Sequence, residues 1–273
     1  MSTSPISFIG GGNMARSLIA GLIGQGIAPA SLHVAEPVSA LREQLTAEFG
    51  VTTYASATEA AAQGTVWLLA VKPQVLRDVC ASLADLAQAK QPLVVSIAAG
   101  ITSSQLQRWL GSNAAVVRAM PNTPALLGAG VTGLYATASV SAAQRAQADA
   151  VLVSAGRTVW IDEEARMDAV TAVSGSGPAY VFLLAEAMEA AGIAQGLPAE
   201  AARTLVVQTL LGASRMLDES GDAPAELRRR VTSPNGTTQA AIESFQADGF
   251  EAMVGRAIEA ATRRGQALSA AND

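Results

Sequence analysis

Cysteine and histidine are almost absent from this sequence, which has one residue of each, Cys80 and His33, among 273 residues. A disulfide requires a pair of cysteines, and a zinc site requires several converging Cys, His or acidic side chains. His33 lies in the short apolar run SLHVAEP, which is typical of a strand rather than of a Ser-His-acid or Cys-His catalytic system. We therefore predict no disulfide, no bound metal, a structural role for His33 and a helix-packing role for Cys80.

Positive charge is also scarce, since 18 Lys and Arg against 23 Asp and Glu give a formal net charge of −5. No basic cluster suggests a phosphate-backbone footprint, so nucleic acid is not an expected partner. The opening MSTSPISF has no positive region, and prolines and glycines interrupt the longest uncharged stretch, between Arg118 and Arg145. We therefore expect no signal peptide, no membrane span and a soluble, cytoplasmic protein.

Hydrophobic residues make up half of the chain, which excludes disorder, and the length favours one large or two modest domains. The apolar run ISFIG at 6–10 precedes apolar residues at every fourth position, Met14, Leu18 and Leu22. The same alternation of strand and helix patterns recurs through LHVAE, TVWLLAV, PLVVSIAAG, AAVVRAM and RTVWID. We predict that residues 1–162 form a Rossmann-type, doubly wound and mostly parallel sheet, with helices on both faces.

Only helical patterns follow in residues 163–273, including helices over 178–191 and 198–217. No charge occurs between Arg203 and Arg215, and apolar residues surround that helix on nearly all sides. Such a helix must be covered on most sides. We therefore predict an all-α dimerisation domain in this half of the chain, within an α/β protein. The alternative is the central helix of a monomeric bundle.

A glycine-rich turn, GGGNMA at 10–15, joins the first strand to the first helix and has the pattern GxGxxA. The first glycine permits a tight turn, the second lets the backbone approach a pyrophosphate, and Ala15 lets the helix lie close to the strand. The helix N-terminus adds unpaired N–H groups and partial positive charge. With an acidic residue at the end of the second strand, the pattern predicts dinucleotide binding by Gly10, Gly11, Gly12, Asn13, Met14 and Glu36.

Glu36 also bears on the choice between NADH and NADPH. A carboxylate at this position accepts both ribose hydroxyls of NAD, whereas it repels the 2′-phosphate of NADP. The sequence therefore favours NADH, although Arg42, one turn into the next helix, would reverse this preference if it swung towards the phosphate.

Three further loops follow predicted strands, at the sheet edge where open α/β folds bind ligands. They are AVKP at 70–73, SIAAG at 96–100 and MPNTP at 120–124. Lys72 is the best basic group near the coenzyme, although a solvated lysine before a helix-starting proline is an equal alternative. From these loops we predict coenzyme contacts by Ala70, Val71, Lys72, Pro73, Ala98 and Asn122.

Two segments of the helical half, VSGSGPAY at 173–180 and TSPNGTT at 232–238, are rich in glycine and hydroxyl groups. Each stands just ahead of a helical stretch. Backbone N–H groups at a helix start can hold a small carboxylate without an arginine. The alternative is ordinary helix capping by Ser and Thr.

Taken in order, GGGNMA, AVKPQ, SIAAGI, RAMPNTPA, SGSGPAY and SPNGTT span nearly the whole chain and resemble the pyrroline-5-carboxylate reductase family. The resemblance implies hydride transfer from NADPH or NADH to the C=N bond of Δ1-pyrroline-5-carboxylate, a small imino acid. The product is L-proline, in the last step of proline biosynthesis. The resemblance also implies homodimers with intertwined helical domains, often assembled into decamers.

The resemblance further assigns the substrate site. Thr238 is its catalytic residue, with a hydroxyl that reaches the ring nitrogen, and N–H groups around Gly236 grip the carboxylate. The implied substrate-binding residues are Ser233, Asn235, Gly236, Thr237 and Thr238, with Ser176 and Gly177 shaping the pocket. Asn235 stands where the family commonly has glycine, and asparagine tolerates a left-handed backbone. Glu36-Pro37 departs from the small polar and basic residues that suit NADPH in many members.

Two other functions compete with this interpretation. A β-hydroxyacid dehydrogenase-like enzyme relies on a lysine in its helical domain. The only lysines of this sequence, Lys72 and Lys90, both precede the helical half, so this alternative lacks its acid–base group. The other enzyme alternative is an imine reductase that acts on other substrates. A non-catalytic NAD-binding protein would bind NADH without turnover, so a turnover assay separates it from the enzymes.

Overall fold

The computed structural model describes residues 4–111 and 113–272. Its strands form one eight-stranded sheet in the order β3-β2-β1-β4-β5-β6-β7-β8. The strands are β1 Ile6–Ile9, β2 Leu32–Ala35, β3 Thr52–Tyr54, β4 Val66–Leu69, β5 Leu93–Ser96, β6 Ala115–Met120, β7 Gly130–Ala136 and β8 Gly156–Trp160. Every neighbouring pair is parallel except β6 and β7, which are antiparallel. The predicted doubly wound, mostly parallel sheet is confirmed.

In the described ranges, six α-helices connect the strands, and the other α-helices follow the last strand. The first six are α1 Asn13–Gly24, α2 Ser39–Phe49, α3 Ala57–Ala61, α4 Pro73–Lys90, α5 Ser103–Leu110 and α6 Ala142–Leu152. The others are α7 Met167–Val170, α8 Gly177–Ala194, α9 Ala199–Glu219, α10 Pro224–Arg230, α11 Thr237–Ala247 and α12 Phe250–Ala271. Within the described part of the chain, only helices and turns follow β8, as the sequence predicts.

Two strands differ from the sequence prediction. The sequence indicates no strand between AAVVRAM and RTVWID, but the chain there forms a short 3₁₀ turn at Thr123–Leu127 and then β7. The β7 sequence GVTGLYA contains two glycines, which weaken a strand signal. The β3 strand has three residues, too few for a clear alternation of apolar and polar side chains.

Both faces of the sheet are covered by helices. On one face Phe8 of β1 packs in a cluster with Leu18 of α1 and Leu152 of α6. On the other face Trp67 of β4 packs in a cluster with Cys80 of α4. Cys80 is fully buried, which confirms its packing role. This two-sided burial explains why the strands read as continuous apolar runs.

The chain forms two compact units, one from the described residues up to Ser176 together with those from Ala260 onward, and one over Gly177–Glu259. In the first unit the end of α12 is held by hydrogen bonds. Gln105 Nε2 donates to the Ser269 carbonyl at 3.0 Å, and Asn272 Nδ2 donates to the Gly100 carbonyl at 3.2 Å. The domain boundary after residue 162 stays a prediction from the sequence.

The second unit leaves much apolar surface uncovered within the chain. No residue of α8 is buried, and in α9 only Ala202 and Val206 are buried. Phe182 and Leu183 of α8 are each 66% exposed. Among the residues that the structure describes, none of the helices has the length and apolar character needed to cross a membrane.

Candidate active site

The glycine turn between β1 and α1 has a backbone that other residues would strain. Gly10 has a φ of +108° and donates its N–H to the Ala35 carbonyl at 2.9 Å. A Cβ on Gly10 would lie 2.8 Å from the carbonyl oxygen of Ala70. Glycine is therefore required here both for the positive φ and for the close approach of the loop after β4.

The start of α1 is open on the side where a ligand would lie. Gly12 is the N-cap residue, no side chain caps the helix, and its first turn contains no acidic residue. A Cβ on Gly12 would meet no described atom within 4 Å, so the space directly beside Gly12 is open. Asn13 is exposed, Met14 packs partly against the core, and Ala15 is fully buried beneath them. These features fit a diphosphate bound to backbone N–H groups.

Glu36, at the end of β2, is only 8% exposed and is held by the backbone on both oxygens. Its Oε2 accepts the Gly11 N–H at 3.3 Å, and its Oε1 accepts the Val38 N–H at 3.0 Å. A carboxylate offers about four lone-pair sites, so two remain for the hydroxyls of a ribose. The arrangement has the features of a ribose-binding carboxylate.

Arg42 of α2 does not pair with the Glu36 carboxylate through any hydrogen bond of the described residues. Its Nη1 instead donates to the backbone carbonyls of Glu36 and Pro37, at 2.8 Å each. The guanidinium is thus engaged by the β2–α2 turn. Arg42 therefore does not neutralise the Glu36 carboxylate through a direct hydrogen bond in this structure.

The remaining predicted coenzyme residues follow β4, β5 and β6, whose carboxyl ends share one edge of the sheet. Ala70 and Val71 lie directly against the Gly10 position. Lys72 is the exposed N-cap of α4, and Pro73 is the first residue of that helix. Ala98 is buried, and its N–H points to the Ser96 hydroxyl at 3.4 Å.

Asn122, after β6, uses both ends of its side-chain amide within the protein. Its Nδ2 donates to the Ser174 carbonyl at 3.2 Å, and its Oδ1 accepts the Val131 N–H at 3.0 Å. The MPNTP motif predicted a coenzyme contact for Asn122. It did not predict the hydrogen bonds to Ser174 and Val131, because these residues are distant from Asn122 in sequence.

Arg118 of β6 is a buried cation that the sequence analysis did not assign. It pairs with Glu164 at 2.7 Å, and Glu164 also accepts the Ser103 N–H at the start of α5 at 2.6 Å. Burial raises the pKa of the nearby Asp168, Arg118 opposes this, and Glu164 adds to it. A lone arginine between apolar residues in AAVVRAM was the signal for a buried ion pair.

Before α8 the chain forms a π-helical turn over Thr171–Gly175. The half-buried Ser176 donates its N–H to the Thr171 carbonyl at 2.8 Å, a step of five residues. Gly177 then begins α8. Both residues predicted to shape the substrate pocket therefore lie at the end of a π turn, a feature common at functional sites.

The turn before α11 contains the other predicted substrate residues. Asn235 has a φ of +59°, so it occupies the left-handed region as expected. Its N–H donates to Gln239 Oε1 at 2.7 Å, and the Gly236 N–H donates to the Ser233 carbonyl at 3.1 Å. The turn therefore uses these two N–H groups internally.

The helix start itself has no side-chain cap. Gly236 is the N-cap residue of α11, and no side-chain capping hydrogen bond forms there among the described residues. The N–H groups of Thr237 and Thr238 belong to that turn and have no partner within the helix. Thr237 is exposed and Thr238 is half-buried. Ordinary capping by Ser or Thr does not describe this helix start, which has the features of an anion site.

Two family models match the chain. Residues 164–268 match the family described as pyrroline-5-carboxylate reductase dimerisation. Residues 5–100, which include the glycine turn, match the family described as NADP oxidoreductase, coenzyme F420-dependent. The first match supports oligomer formation through the helical part of the chain.

Curated and solved proteins give the same result over the full length. The chain is 54% identical to pyrroline-5-carboxylate reductase of Pseudomonas aeruginosa, with 98% of each chain covered. The structure of a pyrroline-5-carboxylate reductase from Coxiella burnetii has a TM-score of 0.95 and 39% identity, covering 98% of this chain and 99% of that one. The Plasmodium falciparum pyrroline carboxylate reductase, solved with NADP bound, has a TM-score of 0.86 and 28% identity, with 98% and 99% covered. The chain therefore belongs to the pyrroline-5-carboxylate reductase family.

Proposed function

We propose that this protein reduces the C=N bond of Δ1-pyrroline-5-carboxylate to give L-proline, the last step of proline biosynthesis. The observation that carries the proposal is the uncapped start of α11 at Thr237 and Thr238, behind a turn in which the Asn235 and Gly236 N–H groups are already used. A small carboxylate fits that helix start. The family membership supplies the imine ring that such a carboxylate belongs to.

The coenzyme site is the glycine turn with the adjoining strand ends. A bound nicotinamide dinucleotide supplies the hydride that reduces the imine carbon. The open start of α1 at Gly12 is suited to hold the diphosphate, and Glu36 is suited to hold the ribose. We propose that both NADPH and NADH are used, with NADH preferred because the Glu36 carboxylate lies where a 2′-phosphate would be repelled.

The proposed reduction does not require a histidine. The Thr237 and Thr238 N–H groups hold the carboxylate, and the Thr238 hydroxyl contacts the ring nitrogen. An imine that binds already protonated is a strong electrophile, so reduction does not require a general acid of the kind needed for a developing alkoxide. His33 lies in β2, where its Nδ1 is 3.3 Å from the Tyr54 hydroxyl and burial lowers its pKa. Thr238 is therefore the proposed catalytic residue, and orientation provides most of the rate enhancement.

The helical half forms the subunit interface in this proposal. The exposed apolar side chains of α8 and α9, such as Phe182 and Leu211, are covered by a second copy in a homodimer with intertwined helical domains. Such dimers can assemble further into a decamer. Light scattering at micromolar concentration tests the interface, and a stable monomer would contradict it. A cytoplasmic location is part of the same proposal.

A direct assay tests the function. The purified protein is mixed with NADH and pyrroline-5-carboxylate, the loss of nicotinamide absorbance is followed, and L-proline is identified by chromatography. We expect NADH oxidation that depends on the imine and yields proline. Binding of NADH without turnover would identify a non-catalytic NAD-binding protein. Turnover of other cyclic imines but not of this one would identify an imine reductase of different specificity.

A further inference from the structure

The Asn122 side chain joins two segments of the first compact unit that lie far apart in sequence. Its Oδ1 accepts the Val131 N–H at 3.0 Å, which extends the contact between β6 and β7 beyond the end of β6. Its Nδ2 donates to the carbonyl of Ser174 at 3.2 Å. The Asn122 side chain therefore supplies an acceptor to β7 beyond the last paired residues of the ladder.

The Ser174 carbonyl needs a hydrogen-bond donor from outside its own helical segment. In an α-helix it would accept the N–H of residue 178, but Pro178 has none. A proline also crowds the carbonyl four residues before it, which favours a local widening of the helix. The π turn over Thr171–Gly175 is that widening, and the Asn122 amide supplies the missing donor.

The π turn and the Val170 residue before it also lie close against the end of β6 and the middle of β7. A Cβ on Gly175 would be 2.5 Å from the methyl group of Met120, and a Cβ on Gly133 would be 2.4 Å from Val170 Cγ1. Small residues at both positions let this segment approach the sheet next to Asn122. The hydrogen bond to Ser174 therefore belongs to a closely packed junction.

We propose that Asn122 is a positioning residue for imine reduction, which fixes the π turn that ends at Ser176 by donating to the Ser174 carbonyl. This inference rests on the proposed function, in which Ser176 shapes the imine pocket. Because the Asn122 amide bonds to both Val131 and Ser174, it acts on the reaction by holding Ser174 in place. The coenzyme contact predicted for Asn122 from the MPNTP sequence is the competing interpretation, and the experiments below distinguish the two.

A double-mutant cycle between Asn122 and Pro178 tests the inference. Asn122→Ala should lower kcat/KM for the imine by about 10- to 100-fold, while the Kd for NADH changes by less than about threefold. Pro178→Ala gives residue 178 an N–H that can donate to Ser174 instead. In that background Asn122→Ala should lower kcat/KM by less than about threefold, which is a non-additive result.

Three results of the cycle would overturn the inference. If Asn122→Ala lowered kcat/KM equally in the wild-type and Pro178→Ala backgrounds, Asn122 would not act through Ser174. A Kd for NADH that rises by more than about tenfold with the imine KM unchanged would make Asn122 a coenzyme ligand. A lower melting temperature with unchanged kcat/KM would leave it a purely structural residue.

A crystal structure of the wild-type protein with NADH bound gives a second measurement that needs neither a variant nor turnover. We expect Asn122 Nδ2 within hydrogen-bond distance of the Ser174 carbonyl and outside hydrogen-bond distance of NADH. An Asn122 amide turned onto the coenzyme contradicts the inference. If the wild-type protein does not reduce pyrroline-5-carboxylate, the proposed function fails, whereas this structure still decides whether Asn122 holds Ser174.

Discussion

The Glu36 carboxylate accepts the backbone N–H of Gly11 at 3.3 Å, so the residue suited to select the coenzyme is bonded to the turn suited to hold its diphosphate. A Cβ on Gly11 would lie 3.4 Å from Glu36 Cβ and 2.6 Å from Leu45 Cδ1. The ribose-binding and diphosphate-binding parts of the proposed site are therefore packed directly against each other.

Neutralising Glu36 should shift the coenzyme preference towards NADPH. Two like charges about 4 Å apart repel by up to about 4 kcal/mol at an effective dielectric near 20, before solvent screening reduces the repulsion. We expect Glu36→Gln to raise the ratio of kcat/KM for NADPH to that for NADH by about tenfold or more. Steady-state kinetics with both coenzymes measure the ratio.

Glu43→Gln is the matched control, because Glu43 is an exposed carboxylate on the neighbouring helix α2. In the Glu43→Gln variant, the ratio of kcat/KM for NADPH to that for NADH should stay within about twofold of the wild-type value. A wild-type protein that already prefers NADPH by more than about tenfold would refute the role given to Glu36.

Removing the Thr238 hydroxyl should impair turnover more than folding. We expect Thr238→Ala to lower kcat/KM for the imine by about 10- to 1,000-fold, the range for losing one or two well-placed hydrogen bonds. Thr238→Ser keeps the hydroxyl and should retain most of the activity. Kinetics at matched protein concentration, with melting temperatures as the folding control, make the comparison. Unchanged kcat/KM in the alanine variant would exclude the role.

Breaking the buried ion pair of Arg118 should destabilise the protein. The Arg118 and Glu164 side chains are 9% and 24% exposed, so Arg118→Met leaves a largely buried carboxylate without its cation. We expect the free energy of unfolding to fall by about 2–4 kcal/mol, measured by urea unfolding at one fixed protein concentration.

Arg166→Met provides the comparison, since Arg166 and Glu163 are 62% and 61% exposed in their own ion pair. That change should cost less than about 1 kcal/mol. Equal effects of the two substitutions would mean that burial does not set the strength of the Arg118 pair.

Cys80 should be unreactive in the native protein. Burial raises the pKa of its thiol to about 12, so almost no thiolate is present at pH values near 8. We expect no alkylation by iodoacetamide until urea unfolds the chain, followed by labelling of one site, as read by mass spectrometry. Labelling of the native protein at the rate found for the unfolded chain would contradict the packing role.

The parts of the structure that the sequence predicts are those determined by local pattern. The GxGxxA turn, the helix that follows it and the strand that ends just before Glu36 each depend on residues close together in the chain. The left-handed backbone of Asn235 follows from the properties of one residue type. Such features require only spacing and conformational preference.

The missed features depend on partners that are distant in sequence. Arg118 and Glu164 are separated by 46 residues, and Asn122 and Ser174 by 52. The strand β7 is stabilised by pairing with both β6 and β8, which offsets its two glycines. No local periodicity encodes these pairings, because folding of the sheet is what brings the partners together.

The near absence of buried residues in α8 and α9 affects the fate of a newly made subunit. Before it assembles with another copy, such a subunit exposes the apolar surface of these helices to the surrounding molecules. Exposed apolar surface of this kind leads to aggregation or to capture by chaperones. The yield of correctly assembled protein in a cell is therefore set by how quickly nascent chains meet, as well as by how quickly each one folds.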